Sequence, residues 1–544
     1  MKKTILIGGK AGQGIAMTSV LLGKIFAKAG FFVFNYRDYP SLIRGGHNFN
    51  ILSISDFPIF SFEKDYDIII ALDQNTIEKH KKYLKKKGLI LGSKELKFRK
   101  LVPLNLEKIL SELKLPPVFG NNILIGYLVH HFGLPLSLVL RVIRKEFTKK
   151  SELIEKTIKI GYALESFWKE KLNINSKPKY FFSGSEAVAL GAVAAGLDIY
   201  FAYPMTPATP VLHYLARRQK EYNISVVQLE NEISVINTAL GASFSGAKTM
   251  LGTSGGGFAL MTEACSLQGM SEVPLVVYLA QRTGPSTGVP TYTAQGDLKF
   301  ALSAGHGEFP RIVVAPGDAK EAFFKTVEAF YLSQKYRTLV IILGDKHLGE
   351  SYFSFEKVEE PEIKMRDFLL KKPSLNFRSY KITKDGISPR TVPGLGPVVR
   401  ASGYEHDEWG ITTEDQEKIS QMAEKRLKKQ AFIKKEVSEL QPVKVYGKGK
   451  NLIVSWGSTK GAILDSLKKL RDYKFLQILY LEPFPSQQVE REIKKAERVV
   501  LVENNATGLL GKVIRENTGV FIKEKILKYN GRPFSPSEII RKIK

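Results

Sequence analysis

Short apolar runs along the first third of the chain each close on a glycine-rich or polar turn, and apolar positions spaced three and four apart follow. Residues 4–7 read as a strand, 8–14 as a glycine loop and 15–29 as a helix. Strand patterns recur at 31–36, 67–72 and 88–91. Strands alternating with helices predict a parallel sheet. Polar residues 173–179 read as a linker. A second series starts near Tyr180, with a small-residue helix at 187–195 behind Gly184-Ser185-Glu186. Its strands fall at 200–203, 225–229, 249–253, 275–280, 311–314 and 338–343. Beyond residue 350 the alternation breaks at Pro373, Pro389, Pro393 and Pro397, and a charged helix spans 413–437. This stretch reads as a connecting arm with little core of its own. A third series begins at Val443, with strands at 451–455, 475–480 and 499–503. The predicted fold class is α/β, with three doubly wound α/β domains in series. The boundaries are 1–175, 176–350, an arm at 351–441, and 442–544.

The composition fits several ordinary globular cores: 544 residues, 44% hydrophobic and 25% charged. No apolar stretch approaches the roughly 18 residues of a membrane span. The basic start resembles a signal peptide, but Lys10 interrupts the apolar run, so a soluble, cytoplasmic chain without a membrane partner is expected. The net charge of +27 is spread along the chain and is densest at 81–100. A solvated lysine face accounts for it, with an acidic protein partner as the functional reading. Nucleic acid is not expected, since no aromatic-interleaved basic motif stands out. A single cysteine, Cys265, excludes an internal disulfide. It also excludes a cluster ligated by this chain's cysteines alone, which needs about four thiolates.

Several loops carry candidate chemistry. Gly9, Gly12 and Gly14 follow the first strand as G-x-x-G-x-G, not the dinucleotide spacing. They suit a phosphate at a helix N-terminus, with Asp38 where a ribose-binding acid would sit, or a structural or subunit-contact turn. Tyr203-Pro204-Met205-Thr206-Pro207 ends a strand. Its prolines fix φ and hold the Thr206 hydroxyl where α/β crevices form, or simply stiffen a turn. Glu230-Asn231-Glu232 opens a helix, where a carboxylate favours the dipole or serves as a catalytic acid. Thr253-Ser254-Gly255-Gly256-Gly257 lets backbone approach a ligand. Arg282, in Gln281-Arg282-Thr283-Gly284-Pro285-Ser286-Thr287-Gly288, suits bidentate binding of carboxylate or phosphate. The loops of Thr206, Glu232, Gly256 and Arg282 all leave predicted strand C-termini of one sheet. His306 stands alone and reads as structural. No Walker loop, His/Cys metal cluster or Gly-Asp-Gly occurs; the Gly-Asp pairs at 296, 317 and 344 continue with Leu, Ala and Lys.

At these residues the chain resembles the α subunit of 2-oxoacid:ferredoxin oxidoreductases, in the form with a γ domain fused at its N-terminus. Members similar to 2-oxoglutarate:ferredoxin oxidoreductase match best. The family's Tyr-Pro-Ile-Thr-Pro, Glu-Asp-Glu-Ile and Thr-Ser-Gly-Pro-Gly-Phe correspond to residues 203–207, 230–233 and 253–258. Residues 281–288, Gly305-His306-Gly307-Glu308, Glu503-Asn504-Asn505-Ala506-Thr507-Gly508 and Arg44-Gly45-Gly46 also fit. Met205 for isoleucine, Ala208-Thr209 for a serine pair and Gly256 for proline are departures that bear on substrate selectivity, not class.

The resemblance implies a γ-type domain, a thiamine-diphosphate pyrimidine-binding domain and a transketolase C-terminal-like domain. It implies thiamine diphosphate shared with a β subunit, which holds Mg2+ and a [4Fe-4S] cluster, in an αβ or (αβ)2 assembly. Glu232 would face the pyrimidine ring as the catalytic acid, and Thr206 and Arg282 would bind the 2-oxoacid. Tyr203, Pro204, Ser254 and Gly255 would contact the cofactor. The implied reaction is coenzyme A-dependent oxidative decarboxylation, 2-oxoglutarate favoured, with electrons passed to ferredoxin. Pyruvate, branched-chain or aryl 2-oxoacids are alternatives within the class. A transketolase-like thiamine enzyme is the alternative outside it, and the γ-like first domain argues against that.

Overall fold

The computed structural model describes the whole chain except residues 42–45, 148–150, 166–169 and 175–176. Arg44 and Gly45 of the Arg44-Gly45-Gly46 run, and part of the 173–179 linker, therefore lie outside the described residues. The chain forms two compact units. One comprises Met1–Ser183, Ser351–Glu359 and Ser535–Lys544; the other comprises Gly184–Glu350 and Glu360–Phe534.

The first unit is built on an eight-stranded sheet. Leu101–Leu104, Leu84–Ser93, Tyr66–Ala71 and Lys2–Gly9 pair in parallel, as the alternation predicts. The other half departs from that expectation. Asn48–Ser55, Phe32–Asp38, Tyr352–Phe355 and Tyr180–Ser183 continue the sheet antiparallel. Phe32–Asp38 and Asn48–Ser55 form a hairpin in which Asp38 pairs with Phe49 and Phe32 with Ser55. The returning strand, Asn-Phe-Asn-Ile-Leu-Ser-Ile-Ser, buries Asn50, Ser53 and Ser55 and so lacks a strand's apolar signature. Asn50 and Asn35 both donate to the Ser19 hydroxyl and Ser55 to the Met1 carbonyl, while the Ser53 hydroxyl has no hydrogen-bond partner among the described residues. Among the helices, Gly120–His131 and Ser151–Ala163 touch backbone to backbone. A Cβ on Gly126 would stand 2.1 Å from the Ile158 carbonyl, and one on Gly161 would stand 2.0 Å from that of Ile123.

The glycine loop of the first strand is occupied by its own side chains. Gln13 Oε1 accepts from the Lys10 amide at 2.6 Å, and Asn121 donates to the Gln13 carbonyl at 2.7 Å. Asp38 is buried and accepts from the Tyr36 hydroxyl at 2.8 Å.

The second unit holds two sheets. The seven-stranded one runs Tyr480–Glu482, Arg311–Val314, Leu339–Asp345, Leu275–Gln281, Thr249–Thr253, Ile199–Ala202, Ser225–Gln228. All neighbours are parallel except the pair formed by Tyr480–Glu482. The five-stranded sheet runs Val443–Tyr446, Tyr473–Ile478, Asn451–Trp456, Val499–Glu503, Glu524–Leu527, parallel apart from its first strand. One apolar core runs through both, including Val277, Ile341, Trp456 and Leu476. Lys460 links them further: it reaches Asp318, and Glu321 at 2.7 Å, all three buried. The arm carries the helix Gln416–Glu439. The architecture is thus α/β with three sheets, as expected. Among the described residues no helix is long and apolar enough to cross a membrane.

Candidate active site

Four adjacent parallel strands of the seven-stranded sheet, Leu275–Gln281, Thr249–Thr253, Ile199–Ala202 and Ser225–Gln228, end on the same edge. Their following loops carry Arg282, Ser254 to Gly257, Tyr203 to Pro207, and Glu230 to Glu232. The carboxyl edge of a parallel sheet is where α/β folds place their ligands.

The two carboxylates of Glu230-Asn231-Glu232 are told apart by the helix they precede. Asn231 is the N-cap of Glu232–Phe244, its side chain accepting from the Ser234 amide at 2.9 Å. Glu230, outside the helix, is held by the Ser234 hydroxyl, which keeps its pKa below the ordinary carboxylate range. Glu232 turns inward and is 4% exposed. Its Oε1 is buried without a hydrogen-bond partner among the described residues. It lies against Gly257, where a Cβ would stand 2.7 Å from that oxygen and 2.3 Å from Thr253 Oγ1. Only glycine leaves this room. Ser254 is fully buried, and its hydroxyl is likewise unpartnered.

On the neighbouring strand Arg282 donates from Nη1 to the Thr206 carbonyl at 2.8 Å, and the same nitrogen lies 3.4 Å from Met205 Sδ. Its Nε is buried with no partner among the described residues. Burial lowers its pKa, with the Asp297 carboxylate opposing. The Thr206 hydroxyl makes no hydrogen bond to a described residue, while Tyr203 is exposed at the rim with Pro204.

Asp297 also lies here; in the sequence it stands only as the second member of a Gly-Asp pair. It precedes the helix Leu298–Ser303, where aspartate ordinarily caps, yet its side chain makes no capping bond. Its carboxylate instead faces Gly255, where a Cβ would stand 2.5 Å from Oδ2. Burial pushes its pKa up to about 6, against the pull of Arg282. Its backbone is fixed by Gln281 Oε1, which accepts from the Asp297 amide at 2.9 Å. Glu232 and Asp297 therefore both lie against the 255–257 glycines, the Asp297 carboxylate acts on Arg282 through its charge, and Arg282 bonds the Thr206 carbonyl.

The loop behind Arg282 is anchored by the last sheet. Gln295 donates to the Trp456 carbonyl at 2.9 Å and accepts from the Asn504 amide at 2.8 Å. Glu503, buried, accepts from Trp456 Nε1 and Asn505 Nδ2, each at 2.9 Å. The Glu503-Asn504-Asn505 run thus acts as a clamp. His306 is exposed, and its carbonyl accepts from Ser266 Oγ at 2.6 Å. No contact joins it to these groups.

Chemically, the arrangement offers a buried carboxylate with a free oxygen, a hydroxyl and glycine-walled space beside a guanidinium. These groups fit the polar edge of an aromatic heterocycle and, a few residues away, a carboxylate. Residues 190–425 match the thiamine diphosphate-binding family of pyruvate flavodoxin/ferredoxin oxidoreductases. Residues 4–162 match the pyruvate ferredoxin/flavodoxin oxidoreductase family. The chain is 32% identical to the 2-oxoacid:ferredoxin oxidoreductase subunit alpha of a Sulfolobus species, over 99% of this chain and 96% of that protein. It is 32% identical to 2-oxoglutarate synthase subunit KorA of Archaeoglobus fulgidus, over 66% of this chain and 96% of that one. A structure of 2-oxoglutarate:ferredoxin oxidoreductase from Magnetococcus marinus superimposes with a TM-score of 0.88 at 28% identity, covering 100% of this chain and 99% of that chain. That structure has 2-oxoglutarate, coenzyme A and succinyl-CoA bound. Fold and matches together define an oxidoreductase chain with a thiamine diphosphate-binding domain. More narrowly, the chain belongs to the family of 2-oxoacid:ferredoxin oxidoreductase α subunits, and a partner subunit is implied.

Proposed function

We propose that this subunit serves an enzyme that oxidatively decarboxylates 2-oxoglutarate, passing the acyl group to coenzyme A and two electrons to ferredoxin. The observation that carries the reading is Glu232: a buried carboxylate whose Oε1 has no hydrogen-bond partner among the described residues and which only glycine at 257 admits. A buried polar atom left unpaired costs stability, so its persistence points to a ligand that pairs it. Thiamine diphosphate, when bound, supplies the carbanion chemistry. Glu232 would hold a proton between Oε1 and the ring nitrogen of the pyrimidine, in a low-dielectric site that strengthens the bond. Ser254, Gly255, Tyr203 and Pro204 would form the wall around that ring. Arg282 would orient the substrate's C1 carboxylate with its unused Nε, and the Thr206 hydroxyl would bond the same end. Magnesium and the [4Fe-4S] cluster would come from a β subunit.

The names of the Archaeoglobus and Magnetococcus relatives support 2-oxoglutarate as the acid. The broader name of the Sulfolobus relative favours a second reading, a single enzyme for several 2-oxoacids. The chain co-expressed with its partner subunit should reduce a viologen dye in a coenzyme A-dependent reaction. 2-Oxoglutarate should be fastest among 2-oxoglutarate, pyruvate and 2-oxoisovalerate. Glu232→Gln should lower the rate with every acid by about 100-fold or more. Equal rates with all three acids would support the second reading, and a near-normal E232Q enzyme would remove Glu232 from catalysis.

A further inference from the structure

Away from the candidate site, the arm folds against the second unit over a cluster of buried cations. Arg337, Arg390, Lys425 and Lys429 are each at least nine-tenths buried. The one buried carboxylate among them is Glu272, whose Oε1 is bonded by Lys425 and whose Oε2 lies 2.6 Å from Lys429 Nζ. Arg426 is matched by Glu405. Asp367, which faces Arg390 from the exposed surface, is paired with Lys371 at 2.9 Å. Burying several cations against one anion is costly unless further negative charge joins them.

Between these groups lies a cavity of about 20 Å³, lined among others by Arg337, Arg390, Arg400, Glu272, Ser379 and Thr391. The two buried guanidinium groups donate to carbonyls and an amide. Arg337 gives Nε to the Glu272 carbonyl at 3.1 Å and Nη1 to that of Ser379 at 2.9 Å. Arg390 gives Nη1 to Gln334 Oε1 at 2.7 Å and Nη2 to the Ser243 carbonyl. Arg337 Nη2 and Arg390 Nε have no partner among the described residues. Arg400 is exposed and lines the mouth, so an ion can exchange.

We propose that this cavity binds one monovalent anion of halide size, held by Arg337 and Arg390 and admitted past Arg400. The volume points to a small ion: a water needs roughly 10–15 Å³ of such space, so the cavity has room for one single-atom ion. The charge favours an anion over water, because the carboxylate lining the cavity is already spent on two lysines. The bound ion would brace the arm against the sheet.

The test uses the full-length chain at fixed ionic strength, titrating sodium chloride against sodium gluconate. Chloride should raise Tm by a few degrees and saturate, as expected for a ligand of the native state alone. Arg390→Gln, which removes one of the two guanidinium groups holding the ion, should shift the midpoint to at least about tenfold higher chloride, the worth of one hydrogen bond to a charged group. Arg378→Gln, a nearby arginine that does not line the cavity, should leave the midpoint unchanged. Crystals soaked in bromide should show an anomalous peak within hydrogen-bond distance of Arg337 Nη2 and Arg390 Nε. That measurement stands even if the variants fail to fold. Superimposable chloride and gluconate curves, or a cavity filled by water with no anomalous signal, would overturn the proposal.

Discussion

Glu232 and Asp297 are both carboxylates set against glycines of the same loop, and they differ in what burial does to them. Glu232 keeps an oxygen without a hydrogen-bond partner among the described residues. Asp297 is pushed up to about 6 by desolvation while Arg282 pulls the other way. The native state therefore holds the Asp297 proton more tightly than the unfolded chain does. Between about pH 4 and pH 6 folding takes up a proton, so stability falls as pH rises through that window and stays lower above it. The ionised form withholds at most roughly 3 kcal/mol. Asp297→Asn should accordingly raise stability at pH 7.5, and the gain should vanish below about pH 4. Urea unfolding at the two pH values measures this directly. An Asn variant less stable at pH 7.5 would mean that the Arg282 interaction outweighs desolvation. Stability held back beside a ligand site is common where groups are placed for function rather than for the fold.

At the scale of elements, the helix Gln416–Glu439 shows how a charged sequence can dock. Its buried positions are Met422, Lys425, Arg426, Lys429, Ile433 and Val437, a helical stripe with three cations in it. Glu272 makes that stripe possible. Burial alone would raise its pKa, but Lys425, Lys429 and Arg337 hold it well below the ordinary carboxylate range. Glu272→Gln leaves two lysines buried without their anion and should cost about 3–5 kcal/mol in chemical denaturation. A loss under about 1 kcal/mol would mean that the helix docks through its apolar residues alone. The same chemistry marks how far the sequence could be read. Strands of the seven-stranded sheet such as Thr249–Thr253 and Leu275–Gln281 are apolar on both faces and were legible within a residue or so. The helix at 413–437 was legible as a helix, but only as part of an arm with little core of its own, since nothing local announces that Glu272 waits for its lysines. Asn48–Ser55 was missed for the same reason, since the partners of its buried Asn50 and Ser55, Ser19 and the Met1 carbonyl, are distant in sequence. The site loops were legible as loops at one sheet edge. Asp297 was not, because an aspartate before a helix reads as a cap until its side chain is seen facing elsewhere.

At the scale of the whole molecule, the residues present bear on which part of the proposed reaction this chain can carry. Decarboxylating a 2-oxoacid to the acyl level releases two electrons, and ferredoxin takes them one at a time. A cysteine-ligated cluster needs about four thiolates. This chain has one cysteine, buried at position 265, and burial pushes its thiol up to about 12, so it carries no thiolate at neutral pH. Nor does the sequence contain Gly-Asp-Gly, the run that the family resemblance assigns to diphosphate and magnesium. What it does contain is the group of residues from Glu232 to Thr206, which under the proposed function is one part of a site shared with the partner subunit. The full-length chain purified by itself should therefore be colourless and inactive toward every 2-oxoacid in the viologen assay. Addition of the partner subunit should bring both a cluster's visible absorbance and turnover, and E232Q should restore the colour without the rate. A brown, active preparation of this chain alone would show that the site is complete without a partner. A coloured but inactive wild-type pair supplied with thiamine diphosphate and magnesium would instead place the fault in the acid offered.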